Sequence, residues 1–380
     1  MKRTHKEKGL NIFVNRFLGS IKRIQCVGQT GYIKIKKANF PDRHFRKYIK
    51  ENFDKDRDGI LSSDEINNIT NILVVCNQNI TSLQGIEHFP NLMSLTYFQT
   101  GITELDITKN TALTELLCYG AGITELDVSN NPELTELNCS NTGITELDVS
   151  KNTALTSLSC WSTGITELDV TKNTALTELW LDSTGITSLD VSQNIELDKL
   201  SCYKTEITEL DISNNKKLEY LGCSCTGIEE LDISQNNKLE VLDCSGTGIT
   251  ELDVSQNLLL KNLECGWSKI TGLNVSMNTK LEHLQVLSTN LTWLHIGDNL
   301  NLSIEKSEST IDLGSIGKTF NIGEVFPGID PSRITSINGA TLDKEKGIVS
   351  GYVNGSTIKY TYDCGTSKNG TERLDVTLTL

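Results

Sequence analysis

The sequence of 380 residues lacks long apolar runs, and aromatic residues make up only 6% of it. No stretch approaches the roughly 18 uncharged apolar residues that a membrane helix needs, so we expect no membrane span. The hydrophobic fraction of 37% is nevertheless too high for a disordered chain. The composition therefore predicts a folded protein without a membrane-spanning helix.

Catalytic motifs are also missing from the sequence. It contains no P-loop, no G-x-S-x-G motif and no G-x-G-x-x-G motif followed by a helix. His283 and His295 occupy different columns of the repeat described below, so we expect them to face different sides. Neither has an obvious nucleophile partner. We therefore predict that the protein is not an enzyme.

Positive charge is scarce beyond the first 50 residues. The formal net charge is −14, and such an acidic chain is not expected to bind nucleic acid, which needs a basic face. Residues 1–37 are basic, and we interpret them as a poorly ordered leader rather than as an arm that binds a membrane or nucleic acid. Their apolar segment 10–18 is interrupted by Asn11, Asn15 and Arg16, so it makes no convincing signal peptide.

A period of 21 residues organises most of the remaining chain. The repeated unit reads L-x-x-L-x-C-x-x-T-G-I-T-E-L-D-V-S-x-N-x-x, which is typical of leucine-rich repeats. We predict a mainly β leucine-rich-repeat solenoid of about eleven coils over residues 72–305, between a small helical cap at 38–71 and a C-terminal β module at 306–380. The period is marked by Cys118, Cys139, Cys160, Cys202, Cys223, Cys244 and Cys265.

The alternation in Leu-x-Cys and Leu-x-Val points every second side chain inward, which predicts two short strand-like edges in each coil. The cysteine column then lies in the core. Because parallel, in-register side chains meet the torsion requirements of a disulfide poorly, we expect buried free thiols rather than a disulfide ladder.

Three polar columns recur in register with the leucines. We interpret the Asn column, Asn110 through Asn299, as structural, because a side-chain amide can satisfy backbone groups at a turn. The Asp column could collect calcium, or each Asp could bond the backbone of its own turn, and we favour the second interpretation. A neighbouring Glu column is expected to be a solvated face. The Asp column consists of Asp106, Asp127, Asp148, Asp169, Asp190, Asp211, Asp232 and Asp253.

Residues 54–65 match the EF-hand calcium loop at every diagnostic position. Three alternating aspartates would converge on one ion, Gly59 would allow the sharp turn, and Glu65 would close the shell. We therefore predict one calcium ion as a cofactor. Because EF-hands usually pair and only one loop is present, a metal-free capping helix pair is the alternative, in which Ser62 and Glu65 form a capping box. The predicted ligands are Asp54, Asp56, Asp58, the backbone carbonyl of Ile60, Ser62 and Glu65.

Apolar residues flank this loop at helical spacing, and we expect a helix on either side of it. Phe45, Tyr48, Ile49 and Phe53 precede the loop; Ile66, Ile69 and Ile72 follow it. At the other end of the chain, after residue 305, we expect strands at 334–337, 348–353, 357–362 and 374–380. The dipeptides Asn338-Gly339 and Asn354-Gly355 are hairpin signals. This module is expected to close the solenoid, with a second binding site as the alternative.

Aromatic residues concentrate at outward positions of the first strand in each coil. Exposed Trp and Tyr favour recognition because they give a large contact area at low entropic cost. The alternative is that the rings merely cover the pleat. We expect Trp161 and Trp180 to form the centre of a ligand site. The predicted binding residues are Phe98, Tyr119, Trp161, Trp180, Tyr203, Tyr220 and Trp267.

The nested repeat resembles that of leucine-rich-repeat surface proteins of gut bacteria, and the stretch from Ser82 onward resembles internalins. Further motifs that carry the resemblance are Asp-Gly-Ile-Leu-Ser at 58–62 and Tyr-Thr-Tyr-Asp-Cys-Gly at 360–365. It extends from about residue 38 to residue 380 and implies a secreted or cell-surface protein, although residues 1–37 lack the export signal usual in such proteins. We predict a non-catalytic binding protein for a protein or glycan ligand; the alternative is a structural spacer whose only ligand is calcium.

Overall fold

The structure is a computed structural model that describes residues 31–75, 77, 79–299, 301–314, 316–353 and 355–380. Most of the predicted leader therefore lies outside the described residues. Within them, no helix is both long enough and apolar enough to cross a membrane. Ile33–Lys34 forms a short strand, so the cap includes residues before its predicted boundary at residue 38.

The N-terminal cap consists of two helices and two short paired strands. They are the helices Arg43–Asn52 and Ser63–Asn67 and the antiparallel strands Ile33–Lys34 and Ile60–Leu61. Asp42 begins the first helix by accepting hydrogen bonds from the backbone of His44 and Phe45. Phe45 and Ile49 are fully buried, as their helical spacing predicts. Ile69 and Ile72 were expected on a helical face but lie beyond the second helix, which ends at Asn67, and Ile72 lies in a strand.

Twelve parallel strands form one continuous sheet along the solenoid, which we call the repeat sheet. Each strand contributes a leucine or isoleucine that is paired with its equivalent in the next coil, as Leu158 is with Leu179. These side chains are buried and form the core, except Ile304 in the last strand, which is partly buried against it. The strands are Asn71–Val75, Ser94–Phe98, Glu115–Leu117, Glu136–Asn138, Ser157–Ser159, Glu178–Trp180, Lys199–Ser201, Tyr220–Gly222, Val241–Asp243, Asn262–Glu264, His283–Val286 and Ser303–Lys306.

The second half of each coil returns the chain without forming a second long sheet, which corrects the expectation of two strand-like edges. Between neighbouring coils this edge makes bonds such as Gly164 N–H to Ile144 O, 2.8 Å long. Paired strands occur there only in the last coils of the described chain, at Gly272–Asn274 and Trp293–His295. His283 and His295 thus lie on separate sheets, as predicted.

A ladder of buried asparagine amides links consecutive coils and confirms the structural interpretation of this column. From Asn131 to Asn278, each Nδ2 donates to the backbone carbonyl of the asparagine 21 residues earlier, at 2.8–3.0 Å. A second bond, of 2.9–3.2 Å, reaches the carbonyl 24 residues earlier. Each of these carbonyls also accepts a backbone N–H of its own turn, so the amides add second bonds that tie one coil to the next.

The seven cysteines of the repeat are fully buried free thiols, as predicted. Burial raises the pKa of Cys139, Cys202 and Cys265 to about 12, so these groups remain protonated. Cys225 lies outside the column, and its side chain is exposed.

The C-terminal module contains a five-stranded sheet and a three-stranded antiparallel sheet. The first is built around a long hairpin of Thr357–Ser367 and Gly370–Thr379. The other elements are the strands Gly297–Asp298, Ser309–Asp312, Thr319–Asn321, Ile334–Asn338, Thr341–Asp343 and Ile348–Ser350, the helix Ile322–Val325 and the 3₁₀ turn Pro331–Arg333; a second 3₁₀ turn, Ile86–His88, lies in the first coil.

The predicted hairpins of this module are wrong. Gly339 does turn the chain with a φ of 82°, but the strands on either side of it pair in different sheets. The same holds for the strands that flank residues 354–355. The observed hairpins turn instead at residues 344–347 and 368–369, because the choice of strand partner depends on how the two sheets assemble and not on the turn dipeptide alone.

The module is joined to the solenoid by hydrogen bonds. The buried Tyr360 hydroxyl donates to the carbonyl of Thr292 at 2.9 Å. Gly297 and Gly365 face each other in parallel strands, and a Cβ at Gly365 would lie 2.2 Å from the carbonyl oxygen of Gly297. Glycine is therefore required at position 365.

Candidate binding face and calcium loop

The outward side of the repeat sheet, which we call the outer face, carries three columns of side chains. The first column consists of the residues that precede the strand leucine of each coil, and the second consists of the residues that follow it. The third column consists of the residues that follow the cysteine position. The third column remains in register beyond the strands, because backbone bonds continue there, for example from Ser162 N–H to Asp182 O at 2.7 Å. On the outer face, equivalent side chains of one column therefore recur about every 4.8 Å along the solenoid.

Six of the seven predicted aromatic residues lie on the outer face. Trp161 and Tyr203 are 39% and 42% exposed, although neighbouring positions of their column are occupied by small, buried serines. The other four rings are partly buried in two pairs. Phe98 and Tyr119 stack with their centroids 4.8 Å apart, and Trp180 meets Tyr220 at 5.6 Å.

Trp267 does not lie on the outer face, which corrects the prediction. It is two residues after Cys265, at the turn that follows the strand, where its φ is 54°. Equivalent turn positions are occupied by Ser162, Lys204 and Cys225, all with φ between 55° and 57°. Because Gly266 takes the outward position in this coil, the tryptophan is displaced by one residue.

The prediction that one ligand contacts both Trp161 and Trp180 remains untested, and the ring contact that Trp180 makes is with a tyrosine. Trp180 contacts Tyr220, which belongs to the second coil further on. Ser201 occupies the intervening coil and Gly222 the same strand as Tyr220, and a Cβ added to Gly222 would be 3.0 Å from the Tyr220 hydroxyl. Small residues therefore let these two rings lie close against the sheet, while Trp161 and Tyr203 project from it.

Sequence reasoning missed an apolar end of the outer face. Leu73 and Val75 are exposed on the first strand, and Val75 is paired with Phe98. Leu117 continues the column of Leu73 through Thr96. The alternation of Asn71–Val75 would have placed these side chains outward.

Sequence reasoning also missed carboxylates that lie between the rings. Asp182 accepts hydrogen bonds from the Ser201 hydroxyl and from the Tyr203 backbone, the latter at 3.0 Å. Burial raises its pKa despite these bonds. Burial, followed by the nearby charges of Glu115 and Glu178, also raises the pKa of Glu136. Counting the charged residues of each column separately, rather than over the whole chain, would have revealed these carboxylates.

In the predicted calcium loop, the structure brings three aspartates together. Asp54, Asp56 and Asp58 each place a carboxylate oxygen within 4.8 Å of the others. Asp54 is 4% exposed, and its Oδ1 has no hydrogen-bond partner among the described residues. Its Oδ2 accepts from Gly59 N–H at 3.1 Å. The loop thus holds a buried oxygen that lacks a partner beside two further carboxylates.

The remaining predicted ligands are arranged differently. Glu65 accepts from Lys55 N–H at 2.7 Å and from both the backbone and the hydroxyl of Ser62 at 2.8 Å. The bond from Ser62 N–H and the reciprocal bond from Glu65 N–H to the Ser62 hydroxyl oxygen, at 3.3 Å, form the predicted capping box. Although burial raises the pKa of Glu65, hydrogen bonds from Ser62 and Lys55 outweigh it and hold the pKa below its usual value. Ile60 pairs with Lys34, so a short strand takes the place that a second loop has in paired EF-hands.

The Asp column of the repeat is structural, as favoured from the sequence. All eight carboxylates accept a hydrogen bond from the backbone N–H two residues later, at 2.8–3.0 Å. Within the described residues, none of them belongs to a group of three that could share a metal ion.

Comparison with known proteins supports a repeat architecture. Residues 40–163 match the family model described as the leucine-rich-repeat domain of endo-β-N-acetylglucosaminidase EndoS. An internalin, InlF, from Listeria monocytogenes aligns with 75% of this chain and 87% of its own at 23% identity and a TM-score of 0.69. The chain has the leucine-rich-repeat fold.

Two further solved structures are similar to this chain. The leucine-rich-repeat ectodomain of the Arabidopsis thaliana receptor kinase GASSHO1/SCHENGEN3, in complex with CASPARIAN STRIP INTEGRITY FACTOR 2, is 20% identical with a TM-score of 0.55, over 64% of this chain and 33% of that one. The functional domain of InlJ from Listeria monocytogenes, described as including a cysteine ladder, is 26% identical over 93% of this chain and 99% of that one, with a TM-score of 0.47. A comparison with curated proteins finds no match.

Proposed function

We propose that this leucine-rich-repeat protein is a non-catalytic binding protein that recognises a protein or glycan through the outer face, at a bacterial surface. The observation that carries the proposal is the exposure of Trp161 and Tyr203 on one column of a continuous sheet. Nothing in the fold requires rings there, since Ser140 and Ser224 occupy the same column in other coils. Large exposed rings on a rigid surface favour ligand contact.

The comparisons give limited support to this role. The Arabidopsis ectodomain with the same architecture is described in complex with a partner. The surface location rests on the resemblance of residues 38–380 to bacterial surface proteins and on the shared fold of an internalin. The matching family model is named after an endo-β-N-acetylglucosaminidase, so a glycan remains one of the candidate ligands.

The test is to select ligands and ask whether they need the rings. A phage-displayed random peptide library and a glycan array are screened with the full chain and with Trp161→Ala/Trp180→Ala. Loss of the two rings is expected to weaken selected ligands by about 2 kcal/mol, roughly 30-fold in Kd. The control is Tyr32→Ala/Met277→Ala, which removes two side chains more exposed than either tryptophan. Ligands that bind both variants equally would contradict the proposal and favour a structural spacer.

We also propose that the N-terminal loop binds one calcium ion, which would act as a structural ion in the cap. The support is Asp54 Oδ1, a buried oxygen without a hydrogen-bond partner among the described residues. Asp56 and Asp58 add carboxylates close to it, and calcium takes six to eight oxygen ligands. Ile60 and Ser62 would add a carbonyl and a hydroxyl oxygen. Glu65 would join only by giving up bonds that it makes to Lys55 and Ser62.

A further inference from the structure

The outer face carries far more negative than positive charge. Among the described residues of its three columns, Lys199 is the one lysine or arginine, and its ammonium lies 2.6 Å from Glu178. The face therefore has a net charge of about −6, from seven carboxylates and this one lysine. The seven are Glu115, Glu136, Glu178, Asp182, Asp243, Glu264 and Glu305.

The fold supplies these carboxylates with little opposite charge. Asp243, like Asp182, is bonded to neutral donors, the hydroxyl of Ser224 and the backbone of Ser245. Just beside the outer face the arrangement differs, since Glu240 forms an ion pair with Lys261 at 2.6 Å. A cation that arrived at the outer face would therefore meet carboxylates that, apart from Glu178, form no ion pair among the described residues.

One position on the outer face combines a carboxylate with two exposed rings. Trp161, Asp182 and Tyr203 follow one another in the same column, in consecutive coils linked by backbone bonds of 2.7 Å. At about 4.8 Å per coil, a cation at the Asp182 carboxylate lies within reach of both ring faces. A guanidinium group suits this position because it is planar, forms two parallel hydrogen bonds with a carboxylate and stacks on aromatic rings.

We propose that the outer face binds an arginine-rich protein segment and that Asp182 receives one guanidinium between the rings of Trp161 and Tyr203. The inference rests on the proposed function and names its partner. Charge complementarity selects this occupant, because anionic glycans would be repelled by seven carboxylates, and a neutral sugar, whose hydroxyls can bond a carboxylate, would leave their charge uncompensated. The exposed Leu73 and Val75 at one end of the outer face would take apolar residues of the same segment.

The test uses a fluorescein-labelled nona-arginine peptide and a nona-citrulline peptide, which has nearly the same shape without charge. Binding to the full chain is measured by fluorescence anisotropy at 50 and 200 mM NaCl. The arginine peptide is expected to bind at least tenfold more tightly than the citrulline peptide, and Asp182→Asn is expected to weaken it about tenfold. The matched control is Asp190→Asn, which removes the same charge from an exposed aspartate in the second half of the same coil. It should change Kd by less than twofold.

A second pair of variants keeps the test decisive if Asp182→Asn alters the fold. Tyr203→Ala removes an exposed ring and should weaken the arginine peptide at least threefold, whereas Tyr32→Ala, an exposed tyrosine of the cap, should not. Equal losses for Asp182→Asn and Asp190→Asn would show only the attraction of an acidic chain for a basic peptide, and would overturn the inference. Equal binding of the citrulline peptide would overturn it as well.

Failure here can be told apart from failure of the proposed function. Ligands selected from the peptide library or the glycan array that need Trp161 and Trp180, but are not enriched in arginine, would overturn this inference and leave the outer face as a binding site. Selected ligands that ignore both tryptophans would overturn the proposed function, and this inference with it.

Discussion

Asn130 and Asn131 are neighbours in the sequence, but they contribute very differently to the fold. Asn131 is fully buried, and its amide donates to the carbonyls of Ile107 at 3.2 Å and of Asn110 at 2.8 Å. Asn130 is exposed, and its amide bonds only the hydroxyl of Ser129, at 3.3 Å. The same substitution at both positions therefore isolates the contribution of the asparagine ladder.

The carbonyls of Ile107 and Asn110 each keep a backbone donor when the amide is removed. We still expect Asn131→Ala to destabilise the protein by about 3 kcal/mol, because it removes two hydrogen bonds between coils, at roughly 0.5–1.5 kcal/mol each, and leaves a cavity in place of a buried amide. For a chain of this size the loss corresponds to a fall of about 4 °C in Tm. Asn130→Ala should lie within about 0.5 kcal/mol of the wild type. Asn131→Asp keeps the size of the side chain but loses the donor, so at pH 7 it should be at least as damaging as alanine.

The assay is thermal unfolding followed by circular dichroism and calorimetry at pH 7, with all four proteins measured at one concentration. Calorimetry shows whether the solenoid unfolds in one step, as repeat arrays do when coupling between coils is strong. Equal melting temperatures for Asn130→Ala and Asn131→Ala would refute the reasoning, because the amide ladder would then add nothing to the cohesion of the coils.

Three further predictions concern the metal loop, the thiols and the outer face. Calcium at 100 times its Kd should stabilise the wild type by about 2.7 kcal/mol. Differential scanning fluorimetry should show that the resulting rise in Tm is retained in Asp64→Asn but lost in Asp56→Asn. A rise in Tm retained in both variants would contradict the loop assignment. A bulky thiol reagent should modify Cys225 in the native protein and leave the seven repeat cysteines unmodified, as measured by mass spectrometry. Rapid labelling of those seven cysteines would contradict the register of the coils. Burial raises the folded-state pKa of Glu136 and Asp182 above the unfolded values. The stability of the wild type should therefore fall relative to that of Glu136→Gln/Asp182→Asn as pH rises from about 4 to 7, and parallel pH profiles of the two Tm values would contradict this.

The repeat sheet was predictable because every core position recurs every 21 residues. A single coil such as Leu158-x-Cys160 is ambiguous, but its recurrence fixes which side chains point inward and which coils are neighbours. The buried thiols and the asparagine ladder follow from the same register.

Other features depended on details that the repeat unit does not contain. Trp267 resembles one more aromatic residue after a cysteine, but Gly266 takes the outward position and Trp267, one residue further along, lies in the left-handed turn. Asn338-Gly339 signals a turn correctly, yet the partners of the strands around it are chosen by long-range assembly. The pairing of Ile33–Lys34 with Ile60–Leu61 also lies beyond local patterns, because a two-residue strand has no periodicity to detect.

The central claim, that ligands bind the outer face, is tested most directly by hydroxyl-radical footprinting of the full chain with a ligand selected as described above. Aromatic and sulfur-containing side chains report their exposure individually in this measurement. Bound ligand should protect Trp161 and Tyr203 and leave Met277 and Tyr32, which are exposed elsewhere on the molecule, as reactive as before. Protection of Met277 or Tyr32, with Trp161 and Tyr203 unchanged, would contradict the account.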